Sequence, residues 1–182
     1  MANLPSAPGL SPCLFWAAAS VLTSCGPAPG LPGTSLGTYN VSGALVTNTC
    51  GAGLGLPSPW TFTAQMSEDG TSLYWEMSGG SSVSGAMSSA TQVNITAIDT
   101  TNVDTSEAGV AGPCDLTGTT VMALALATGS PPPAFTGTIS YTYAAATGVS
   151  STTNCTDQLS ASGGQYDTLP CTASYSLTGT RQ

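Results

Sequence analysis

The chain has 182 residues, of which 41% are hydrophobic and only 5% charged. That is enough apolar material for one domain with a real core and too little chain for two. With a single Lys or Arg, no His and nine acids, for a formal charge of -8, the chain cannot build a Ser-His-Asp or Cys-His site, a His-ligated metal, a Schiff-base lysine or a Walker phosphate loop. Nucleic acid is disfavoured and not expected as a partner on the same ground, because phosphates are neutralised by clustered Lys and Arg.

Residues 1–25 contain an apolar run from Cys13 to Thr23, including Leu14, Phe15, Trp16 and Val21. Its roughly ten apolar residues are too few to span a bilayer and fit the hydrophobic region of a signal peptide. The run ends in Leu22-Thr23-Ser24-Cys25, which resembles the lipobox of bacterial lipoproteins: Leu, a small or hydroxyl residue, a small residue, then the Cys that receives the lipid. The departure is upstream, where residues 1–12 carry no Lys or Arg for a positive n-region. The resemblance implies a mature chain that begins at a lipidated Cys25 and is tethered to a membrane of the bacterial envelope, at the outer membrane or cell surface. Residues 26–36 are rich in Pro and Gly and read as a linker between anchor and domain.

A period of two starts at Gly37 and continues to the end of the chain. Tyr39, Val41, Gly43 and Leu45 alternate with Thr38, Asn40, Ser42 and Ala44; Trp60, Phe62, Ala64 and Met66 alternate with Thr61, Thr63 and Gln65. Such alternation places one set against a core and leaves the other in water. Ser67-Glu68-Asp69-Gly70 is a hairpin turn, since Asp-Gly supplies the positive backbone angles that tight turns need. Leu73, Trp75 and Met77, then Val83, Gly85 and Met87, then Val93, Ile95 and Ala97 mark three more short strands. Residues 100–111 read as an acidic loop. Leu116 to Leu126 reads as a longer strand covered on both sides, because Val121, Ala123 and Ala125 on its second face are apolar too.

The last sixty residues carry the cleanest pattern. Phe135, Gly137, Ile139, Tyr141 and Tyr143 alternate with Thr136, Thr138, Ser140 and Thr142, and Ala173, Tyr175, Leu177 and Gly179 alternate with Thr172, Ser174, Ser176 and Thr178. The expected fold is all-β: an antiparallel up-and-down β-barrel of about eight strands over residues 37–182, with a β-sandwich as the alternative. The barrel is preferred because the strands read as successive hairpins and glycines recur on the inward face. The last strand repeats the Tyr, Leu and Gly content of the first, which makes 173–179 and 39–45 the expected seam.

Outside the leader there are four cysteines, Cys50, Cys114, Cys155 and Cys171. An even number in an exported chain implies disulfides, in one of three pairings. The pairing favoured here joins Cys155 to Cys171, closing a loop of about fifteen residues worth roughly 3 kcal/mol, and Cys50 to Cys114. Metal is not expected at these thiols, which lack CxxC spacing. Asp99, Asn102, Asp104 and Glu107 could offer oxygens to calcium, yet their spacing is not that of an EF-hand, and a solvated loop is the simpler reading. Glu68 and Glu76 read as turn and surface acids rather than as a glycosidase pair. Three N-glycosylation sequons, at Asn40, Asn94 and Asn154, carry little weight in a chain so rich in Ser and Thr.

No catalytic residues, metal or cofactor are expected, and the chain reads as a non-catalytic binding or surface module. The inward rows include Tyr39, Trp60, Phe62, Trp75, Phe135, Tyr141 and Tyr143, an aromatic lining that could hold a small apolar ligand. The meander loosely resembles lipocalin-like architecture, in architecture only: the Gly-x-Trp signature that lipocalins carry near the first strand is absent, and Gly37-Thr38-Tyr39 stands roughly there. The alternative is a structural or adhesive envelope protein whose aromatic residues simply fill the barrel. An outer-membrane barrel is disfavoured, because its outward faces would be apolar.

Overall fold

Eight strands alternate in direction and close on themselves, each hydrogen-bonded to the next and the eighth to the first. The computed structural model describes residues 30–78, 80–103, 114–146 and 165–182. The strands are β1 (Thr34–Asn48), β2 (Trp60–Asp69), β3 (Ser72–Met77), β4 (Ser82–Ser89), β5 (Gln92–Val103), β6 (Cys114–Leu126), β7 (Ala134–Ala145) and β8 (Cys171–Arg181). The barrel expectation therefore holds and the sandwich does not. The seam is also where the pattern placed it: β8 pairs antiparallel with β7, Phe135 opposite Gly179, and with β1, Leu45 opposite Tyr175.

The two-residue period accounts for the layering. Tyr39, Val41, Met66, Leu73, Trp75, Val93, Ile95, Met122, Leu124, Phe135, Ile139, Tyr175 and Leu177 form one buried cluster, each at most 3% exposed. Their sequence neighbours, chiefly Thr, Ser and Asn, face outward. Glycine serves the interior where rings need room: a Cβ on Gly179 would overlap the Phe135 ring on the neighbouring strand, so the ring occupies the space that Gly179 leaves.

Four expectations change. β1 starts at Thr34 rather than at 37, and Leu36, inside the expected linker, is buried in the core. β5 runs to Val103, so Asp99 and Thr101 belong to a strand and not to an acidic loop. β6 is covered on one side only: Val121 is 46% exposed and Ala123 is exposed, both small enough to leave in water at little cost. Finally, Cys50 is bonded to Cys171, not to Cys114, and Cys171 is not bonded to Cys155. Loop length along the chain was the wrong measure. Once β1 and β8 pair through Asn48 opposite Ala173, with Thr49 donating to the Thr172 carbonyl at 2.9 Å, Cys50 arrives beside Cys171 with Cα atoms 4.9 Å apart. The Cys114 side chain, Cys155 and the leader with Cys25 lie outside the described residues.

The two ends of the barrel are built differently. At one end lie the Gly70–Thr71 and Ala90–Thr91 turns and the Ala127–Pro133 connection. Buried Pro132 crosses this opening, with the Tyr39 hydroxyl donating to its carbonyl at 2.8 Å and the Arg181 amide donating to the Pro133 carbonyl at 2.9 Å. At the other end sits the disulfide, within a second buried cluster of Cys50, Leu116, Tyr166, Leu169 and Cys171 against which Leu54, Tyr143 and Ala145 pack. The two ends are called here the turn end and the disulfide end.

Candidate functional site

The seven aromatic residues expected to line a ligand cavity divide into two groups. Six of them, Tyr39, Phe135, Trp75, Phe62, Trp60 and Tyr141, form one continuous chain of ring contacts. The centroid distances are 5.6 Å for Tyr39–Phe135, 5.5 Å for Phe135–Trp75, 6.3 Å for Trp75–Phe62, 4.4 Å for Phe62–Trp60 and 6.4 Å for Trp60–Tyr141. Tyr175 joins through Trp60 at 5.1 Å. These are the separations at which aromatic edges and faces stabilise each other, and Tyr39, Trp75 and Phe135 are each at most 2% exposed. The seventh, Tyr143, stacks obliquely on Tyr166 at 5.5 Å, within the cluster at the disulfide end.

Space accessible from solvent lies where this chain of ring contacts ends, beside Tyr141 and Tyr143. The β5–β6 ladder runs from Gln92 opposite Ala125 to Val103 opposite Cys114, and the β6–β7 ladder from Leu126 opposite Phe135 to Leu116 opposite Ala145. The β4–β5 ladder stops at Gly85 opposite Ile95. β5, β6 and β7 thus form a tall wall that continues past the top of β3 and β4. On that wall is a cleft of about 230 Å³ lined by Asp99, Thr101, Leu116, Gly118, Thr120, Tyr141 and Tyr143 of the inner register and by Thr119, which belongs to the outer register. Asp99, Gly118 and Tyr143 stand in one cross-strand row that continues to Cys171. Thr120 and Tyr141 stand in the next.

The tyrosines of this end behave as a group. Burial pushes the Tyr141 hydroxyl well above the ordinary phenol range, and the neighbouring Tyr143 and Tyr175 hydroxyls push it in the same direction. Tyr143 is raised by burial. Tyr166 and Tyr175 are raised by burial and then by Tyr143. All four remain neutral phenols at physiological pH, able both to donate and to accept a hydrogen bond.

Sequence reasoning grouped Asp99 with Asn102, Asp104 and Glu107. The structure instead sets Asp99 across from Gly118 on the inner register, whereas Asp104, Glu107 and the Asn102 side chain lie outside the described residues. Among the described residues there is no group of three His, Cys, Asp or Glu that could hold a metal. Glu68 pairs across β2–β3 with Leu73, and Glu76 with Gln65. Glu68 lies beside the Gly70–Thr71 turn and Glu76 toward the other end of the hairpin. A second, shallower depression of about 500 Å³ crosses the outer face of β8, β1 and β2, with Asn40, Ser42, Thr61, Thr63, Thr178 and Thr180 on its rim. Compared with protein-family models, curated proteins and solved structures, the chain matches none.

Proposed function

We propose that the chain is a non-catalytic surface module of the bacterial envelope, exported through its leader and held to a membrane by a lipid on Cys25, with a barrel whose aromatic interior is structural. The observation that carries the reading is the unbroken chain of ring contacts from Tyr39 to Tyr141, which uses six of the seven residues that would otherwise line an apolar cavity. Rings already engaged with each other in this way would have to be displaced by a guest among them. Recognition then falls to the hydroxyl-rich outer face and to the cleft at the disulfide end of the inner wall.

Attachment follows from the leader's resemblance to lipoprotein signal sequences. β1 begins nine positions after Cys25, since it starts at Thr34, and nine extended residues reach about 30 Å. A module tethered there would hold its turn end, where β1 begins, toward the membrane and its disulfide end away from it. Native mass spectrometry of the protein extracted from its source tests both parts. The expected spectrum shows the mass of a diacylglyceryl-modified chain beginning at Cys25 and no co-purifying apolar molecule. A stoichiometric apolar guest would overturn the structural interior, and an unmodified Cys25 would overturn the anchor.

A further inference from the structure

We propose that the cleft between β5, β6 and β7 is a binding site for an alkylammonium group. This deepens the reading of the chain as a binding module and depends on it only in taking the barrel as non-catalytic. The donor set decides the chemistry. The cleft presents one exposed carboxylate, Asp99, the hydroxyls of Thr101 and Thr120, and the phenol groups of Tyr141 and Tyr143, over a floor opened by Gly118. Lined with acceptors and aromatic rings and holding no base, it offers a cation a counter-charge, hydrogen-bond acceptors and π-faces together.

Charge placement across the molecule points the same way. The chain has one basic side chain, Arg181, and β8 carries it to the turn end, opposite Tyr39. Arg181 is ten residue steps along β8 from Cys171, the β8 position in the row of Asp99, Gly118 and Tyr143. That is about 33 Å at strand rise, three or more Debye lengths at physiological salt. Arg181 therefore does nothing to neutralise Asp99. Asp115 and Asp167 also lie at the disulfide end, so an approaching cation meets a field of one sign, whereas an anion is repelled.

Size sets the guest. About 230 Å³ is below the usual range for drug-sized ligands, and it suits a single head group such as trimethylammonium or the end of a lysine side chain. Gly118 sits at the centre of the floor: a Cβ built there would lie 3.7 Å from the Tyr143 ring and 4.0 Å from the Asp99 carbonyl oxygen. Those are ordinary contact distances, so alanine fits this position without strain while it occupies space that the guest would use.

The shared chemistry has two sources, a free small amine or a lysine on a partner protein, and paired probes distinguish them. The first pair is choline and its uncharged twin 3,3-dimethylbutan-1-ol; the second is Nα-acetyl-lysine methylamide and the norleucine equivalent. Each is titrated into the folded protein while backbone amide resonances are followed by NMR. The expected result is saturable shifts at Asp99, Thr101, Gly118 and Thr120 with at least one ammonium probe and none with its neutral twin. A response to choline alone indicates a free amine, and a response to the lysine probe alone indicates a protein side chain. Asp99→Asn is expected to weaken binding about tenfold or more, and Gly118→Ala to weaken it with the amide spectrum otherwise preserved. Saturation by neither ammonium probe, equal shifts from the neutral twins, or full affinity in both variants would overturn the site. None of these results bears on the interior or on Cys25, which mass spectrometry reads separately.

Discussion

The turn end and the disulfide end of this barrel solve the same problem with different materials. Any barrel this small must close its two openings or leave core side chains wet. At the turn end the closure is backbone: the Pro-rich connection folds across, and main-chain carbonyls of Pro132 and Pro133 accept from Tyr39 and Arg181. At the disulfide end it is side chain and covalent bond: Tyr166, Leu169 and Leu116 gather around Cys50–Cys171, and the wall above remains open as a cleft. A backbone plug is insensitive to redox state and offers few groups to a guest. A side-chain plug with phenols and a carboxylate at its margin offers many, and its integrity rests on one bond.

That contrast can be broken in four ways. Removing the disulfide with Cys50→Ser and Cys171→Ser together should have the largest effect. The bond spans 121 residues of sequence, and its loss is expected to lower stability by about 3–5 kcal/mol in denaturant titrations. Amide exchange should rise first around Asn48, Tyr166 and Leu169 while Tyr39 stays protected; uniform loss of protection would show that the ends are not independent. Next comes Gly179→Ala, near the turn end. Its new methyl group meets the Phe135 ring, so destabilisation of about 1–3 kcal/mol is expected from overpacking, with the ammonium cleft unchanged by NMR.

Alkaline pH should strain both ends, and the disulfide end more, because four of the five affected tyrosines lie at or near it. Tyr141, Tyr143, Tyr166 and Tyr175 at or near the disulfide end, and Tyr39 at the turn end, all have pKa values raised in the fold, Tyr39 by burial against an opposing pull from Arg181. The unfolded chain loses these protons near pH 10 while the folded chain keeps them. Stability is therefore flat below about pH 10 and then falls toward the folded pKa values, by about 1.4 kcal/mol per pH unit for each such group. Phenolate absorbance against pH should lag behind free tyrosine and then rise cooperatively with loss of near-ultraviolet circular dichroism. Smallest is Tyr39→Phe, which removes the hydroxyl that donates to Pro132. About 1 kcal/mol or slightly more should be lost, because the buried carbonyl is left without that donor.

Much of the barrel was legible because its strands follow a strict period of two and its turns carry Gly, Asp and Pro. Even the seam was visible, in the likeness of 39–45 to 173–179. What stayed hidden is long-range register. Cys50 lies five residues beyond Leu45 and Cys171 four before Tyr175, a difference of one that the irregularity between Leu45 and Thr47 absorbs; without that bulge the two thiols are offset, and counting residues between cysteines pointed to the wrong partners. Asp99 was misread for a related reason. A polar stretch in a strand whose outer face is also polar has no apolar alternation to mark it, so β5 seemed to end at Ala97. The cleft itself is a product of unequal strand lengths, and composition has no signature for that. Leu36 shows the opposite failure, an isolated apolar residue among Pro and Gly that the core nonetheless recruits.

Closure of β8 onto β1 has one consequence for life at high local density. At high local concentration strand edges find each other, and an open sheet presents unpaired N–H and C=O groups as a template for a neighbour. Many soluble proteins resist this with charge, which this chain, at 5% charged residues, largely lacks. Here every described strand has a neighbour on both sides, and unpaired edge is left only in short stretches, among them β5 beyond Ile95, where the β4 ladder has stopped, and β1 beyond Gly43, where the β2 ladder has stopped. Resistance to sheet-to-sheet polymerisation is then expected to rest on topology rather than on surface charge, and to persist at salt concentrations that screen charge repulsion completely.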